Sequence, residues 1–107
     1  MKLEWKDDPS KIVLGPEVLT KELWAFGDPA PDGGRPYSYV GYIRRGAHTA
    51  VWRTHTHEFD DHPYWRELDG MAFKSRLAGM REMRKRFTVA WMSATPEERN
   101  NIWDGFK

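Results

Sequence analysis

The run YSYVGYIRRGAHTAVWRTHTHEF, residues 37–59, decides how this 107-residue chain reads. Aromatic and β-branched side chains crowd both of its halves and Arg45-Gly46 divides them, a pattern that predicts a β-hairpin. Strict alternation along the first strand sets Tyr37, Tyr39, Gly41 and Ile43 on one face and Ser38, Val40, Tyr42 and Arg44 on the other. Along the second strand, Ala50, Trp52, Thr54 and Thr56 share a face, opposite Val51, Arg53, His55, His57 and Phe59. His48 falls on the face away from His55. Rings on both faces predict helices over one side and an open or partly covered second side. An exposed aromatic strand edge also invites pairing with another copy, so a homodimer is expected to be accessible to this fold.

Beyond the hairpin, Asp60-Asp61-His62-Pro63 breaks the strand. A helical pattern follows over about 67–92, where Phe73, Leu77, Met80, Phe87 and Trp91 recur at spacings of a helix face. Gly70 and Gly79 each weaken it by about 1 kcal/mol relative to alanine, and a break near Gly70 is expected. Thr95, Pro96 and Glu98 spell a capping box, which starts a second helix over about 96–105 with Ile102 and Phe106 on its apolar side. Before the hairpin, GDPAPDGGRP at 27–36 is a loop, with Gly33-Gly34 offering positive φ. Residues 16–26 read equally as a helix through Leu19, Leu23 and Phe26 or as a strand in which Glu22, Trp24 and Phe26 alternate. Short strands are expected at Lys2–Trp5 and Ile12–Leu14. The expected fold is one α+β domain over 1–107, a small antiparallel sheet centred on the hairpin at about 37–59 and packed against a C-terminal helical hairpin, about 67–92 and 96–105.

Composition narrows function by exclusion. Seventeen Lys and Arg stand against 16 Asp and Glu, a formal charge of +1, which favours neither a polyanion nor a membrane surface as dedicated partner. The split is uneven, with eight basic against ten acidic residues in 1–65 and nine against six in 66–107. There is no cysteine, so disulfides and thiolate metal sites are excluded and a reducing compartment, the cytoplasm, is the expected location. The first residues lack an apolar signal region, and no run approaches the roughly 18 apolar residues a spanning helix needs.

Three groups of residues carry candidate chemistry. His55 and His57, two apart on one strand face, could hold a zinc, iron or copper ion if His62 with Asp60 or Asp61 closed the set, giving a small metal-binding protein or a metal-dependent hydrolase as an alternative; the plainer reading is hydrogen-bonded strand residues and an Asx turn. Lys74, Arg81 and Lys85, at i, i+7 and i+11 with Arg76, Arg84 and Arg86 nearby, form a basic stripe that would meet phosphates or an acidic protein surface; with exposed Tyr and Trp of the hairpin stacking on bases, it gives a nucleic-acid-binding alternative. Against it stand the interspersed Glu82 and the near-neutral whole. Third, Tyr37, Tyr39, Tyr42, Trp52, Phe59, Tyr64 and Trp65 crowd one third of the chain beside Arg44, Arg45 and Arg53, the residue types that dominate binding hot spots. No cysteine nucleophile, nucleophile elbow or phosphate-cradling glycine motif is present, so no catalytic residue and no cofactor are expected.

The sequence therefore predicts a non-enzymatic binding protein of adaptor or inhibitor type, a class common among phage and other mobile-element products. It would dock on a larger protein or nucleoprotein complex through Tyr39, Tyr42, Arg44, Arg45, Trp52 and Arg53 on the hairpin and Lys74, Arg81 and Lys85 on the helix flank.

Overall fold

The computed structural model describes residues 1–7, 20–45 and 49–103. Five strands form one antiparallel sheet in the order β1 (Lys2–Asp7), β2 (Thr20–Phe26), β3 (Tyr37–Arg45), β4 (Trp52–Thr56) and β5 (Ala72–Phe73), so every strand neighbours the next along the chain. Among the described residues, three helices accompany the sheet in this α+β fold: α1 (Pro63–Arg66), a single turn, then α2 (Arg76–Ser93) and α3 (Pro96–Asn101). The expected strand at Ile12–Leu14, the hairpin turn at 46–48 and Phe106 lie outside the described residues. Residues 16–19 of the ambiguous stretch also lie outside the described residues, and Thr20–Phe26 is strand, because β1 and β3 hydrogen-bond both of its edges. Flanking strands override a short helical pattern.

One face of the sheet carries the core. Leu23, Ala25, Val40 and Ile43 are fully buried there, and Met83, Phe87 and Ala90 of α2 pack onto them. The helix comes close because Gly79 has no side chain; a Cβ at that position would overlap Ile43 Cδ1 and lie 3.3 Å from the Phe73 ring. Gly79 therefore belongs to the packing face and does not merely weaken the helix. Leu77, expected inside, is 55% exposed.

The long helix begins later than its periodicity predicts. Gly70 takes φ 81°, ending the turn that follows α1, and its N–H donates to Thr54 O at 2.7 Å while Met71 O accepts from Thr54 N. The chain is thereby turned into β5, with Ala72 and Phe73 opposite Arg53 and Trp52. Only then does Ser75, whose side chain accepts from Ala78 N, cap α2. The capping box at Thr95 and Glu98 is present as expected, with both reciprocal bonds made.

The feature that shapes the open face is a bulge in β3. Leu23 pairs with Gly41 and Trp24 with Tyr39, leaving Val40 as an extra residue. Alternation shifts phase there: Ser38, Val40, Gly41 and Ile43 are all buried, whereas Tyr37 and Tyr39 point to the same side as Tyr42 and Arg44. Simple alternation had separated Tyr39 from Tyr42. The bulge brings them together, and the spare Val40 carbonyl accepts from His57 N at 2.9 Å.

Candidate functional site

No described helix packs on the second face of the sheet, and its cross-strand partners form a continuous row of rings. Trp24 of β2 lies 5.3 Å from Tyr39 between centroids, Tyr39 lies 5.1 Å from His57, and Tyr42 stacks on His55 at 4.5 Å with an interplanar angle of 22°. Tyr42 and His57, at 6.5 Å, join the two halves of the row. Tyr37 flanks Trp24, while Lys6 sits over both Trp24 and Phe26. Such tilted and offset contacts are favourable between rings and hold each at a set angle. Beyond Tyr42 and His55, Arg44 and Arg53 oppose each other on the same face.

The row ends in a cleft of ≈ 580 Å³ lined by Tyr42, His55, Thr56, His57, Glu58, Phe59, Asp60, Arg66 and Asp69. Two of these residues, Glu58 and Phe59, take φ 66° and 50°. Two consecutive left-handed residues with side chains cost about 1–2 kcal/mol each. They turn Phe59 away from the open face, where alternation had placed it, and into the core against Phe87. The Trp65 indole N–H secures the bend by donating to both His57 O and Glu58 O at 3.1 Å. Asp69 Oδ1 accepts from Thr56 N at 3.1 Å and stands 3.7 Å from His55 Nδ1, with Arg66 Nη1 3.8 Å from Asp69 Oδ2 and 3.9 Å from Asp60 Oδ1.

Burial is the largest influence on His55 and pushes its pKa below the ordinary 6.5. Asp69 opposes that shift, while Arg44, His57 and Arg53 add to it. Because the unfolded chain binds this proton more readily than the folded one, stability rises with pH between the lowered folded value and 6.5. We expect the denaturant midpoint to fall as pH drops below 6.5, with a shallower fall in His55→Gln; equal slopes in the two proteins would show that His55 does not carry it.

The expected binding residues divide among three places. Tyr39, Tyr42, Arg44 and Arg53 share the open face with His55 and His57. Arg45 and Trp52 pair on the helix-bearing side, where Arg45 and Arg76 both stand 5.7 Å from the Trp52 ring. Arg81 and Lys85 are exposed one turn apart on α2, whereas Lys74 precedes the helix and so is not part of its flank. Arg86, included in the basic cluster, binds Glu82, Glu67 and Tyr64 O and lies 4.5 Å over the Tyr64 ring, tying α2 to α1. The hairpin surface and the helix flank are therefore opposite layers and do not form one patch.

His62 does not join His55 and His57; its Nε2 lies 2.9 Å from Glu98 Oε2 and links the corner to α3. With the Thr95 backbone N–H as the larger cause, this contact holds the Glu98 carboxyl below its ordinary 4.5. Among the described residues, no group of three or more His, Cys, Asp or Glu side chains is placed to hold a metal ion. Trp24 was outside the predicted binding set, although its alternation with Glu22 and Phe26 was the signal that marked it. No helix among the described residues is long and apolar enough to cross a membrane. No family model, curated protein or solved structure matches the chain.

Proposed function

We propose that the open sheet face is a protein-docking surface, and that the chain acts as a non-enzymatic adaptor or inhibitor by binding a larger protein or nucleoprotein complex through it. The observation that carries this reading is the row of rings from Trp24 through Tyr39 and His57 to Tyr42 and His55, preorganised on three paired strands. Rigid aromatic side chains bury large area for little lost rotamer freedom. The charges around the row favour a protein over a polyphosphate. Lys2, Lys6, Arg44 and Arg53 alternate there with Glu4 and Glu22, and Asp69 stands beside His55. The nucleic-acid alternative needs Arg81 and Lys85 near stacked bases, and those residues sit on the helical layer, with the sheet between them and the rings.

Affinity capture from a native extract tests the reading. The triple variant Trp24→Ala, Tyr39→Ala, Tyr42→Ala is expected to lose its captured protein about ten-fold or more while keeping the wild-type circular dichroism. If the partner stays with that variant and leaves with Arg81→Glu, Lys85→Glu, the docking surface is the helix flank. Sedimentation of wild type and triple variant would show whether the captured protein is a second copy of the chain.

A further inference from the structure

We infer that the cross-strand pair Arg44 and Arg53 is an anchor for acidic side chains of the protein partner, an inference that rests on the docking reading above. The two residues face each other directly in the β3–β4 register, on the open face and both exposed. Like charges placed directly across a strand pair repel and destabilise the sheet. Among the described residues, neither has a carboxylate within ion-pair distance. Three other arginines are absorbed by the fold: Arg86 by Glu82 and Glu67, Arg99 by the Trp91 carbonyl at 2.8 Å, Arg35 by the Gly27 carbonyl; Arg81 and Arg84 are exposed as well, but on α2, away from the rings. Arg53 gives one N–H to Gly70 O at 3.1 Å, which fixes its stem and leaves most of its donor fork unused. The next pair on this face is the Tyr42 and His55 stack, so an anion held by the arginines would lie beside the flattest aromatic contact of the row.

That combination fits a polypeptide carrying carboxylates next to an aromatic or apolar side chain. Carboxylates would relieve the repulsion and accept the unused N–H donors. A nucleic-acid backbone is a poorer match, because a continuous line of phosphates leaving the arginines along the rings would run into Glu22 and Glu4.

The test uses the whole chain and the peptide acetyl-Glu-Tyr-Glu-amide, followed by NMR at the His55 and Tyr42 ring resonances. Saturable shifts are expected, with acetyl-Gln-Tyr-Gln-amide binding about ten-fold more weakly. Arg44→Glu should abolish the shifts and raise the thermal midpoint, since it places a carboxylate opposite Arg53; Arg81→Glu should leave binding unchanged. Equal binding of the two peptides, or retention of binding in Arg44→Glu, overturns the inference. So does tighter binding of inorganic phosphate or single-stranded oligothymidylate than of the acidic peptide. Because no natural partner takes part, this titration can succeed even if partner capture proves independent of Trp24, Tyr39 and Tyr42, and it can fail while capture still depends on them.

Discussion

Gly41→Val is expected to destabilise the protein by about 3 kcal/mol, at the upper end of what overpacking a core costs. A Cβ at this position would overlap the His55 carbonyl oxygen and approach Met83 Cε to 2.8 Å. The methionine end can move, but the carbonyl belongs to the neighbouring strand and cannot turn aside without opening the β3–β4 ladder. Against a total stability of about 5–15 kcal/mol, that loss is large. It should appear as a lower denaturant midpoint with an unchanged slope, together with shifted His55 and Tyr42 resonances. A loss below about 1 kcal/mol would mean that the strands have room the structure does not show.

The second large effect is at Trp65. Its side chain is fully buried, meets Phe87 edge-on at 5.2 Å, and holds two carbonyls of the left-handed bend with one N–H. Trp65→Ala should cost about 3–5 kcal/mol through the cavity alone. Trp65→Phe separates the causes: it keeps much of the apolar filling but removes the donor, for an expected loss of about 1–3 kcal/mol. Urea titration of the two variants would measure both figures. If Trp65→Phe matched wild type, the Glu58–Phe59 bend would be held by something other than the indole.

The parts of the fold that were legible in sequence are those governed by neighbours a few residues apart. The hairpin, the loop with Gly33 at φ 88° and the Thr95 capping box all follow from local chemistry. The parts that were not legible depend on partners far along the chain. Phe73 and Leu77 continue a helical period, yet Phe73 is drawn into β5 by pairing with Trp52, and Leu77 turns outward. Phe59 follows strand alternation until Trp65 holds a bend that reverses it. The histidine pair was visible at once as two imidazoles on one face, but its place in an aromatic row required the position of Tyr39. That position depends on one surplus residue whose only local trace is the adjoining Gly41.

The surplus residue makes the open face a matter of parity. Tyr39 and Tyr42 are separated by an odd number of steps, so an uninterrupted strand would send one of them inward. With Val40 counted out, each half of β3 keeps its own even count, and the two halves agree only because of the slip between them. Losing a single residue at this point would change no ring, charge or helix of the composition that announces a recognition surface. It would instead divide that surface, and a shape distributed over three strands would be lost through arithmetic alone.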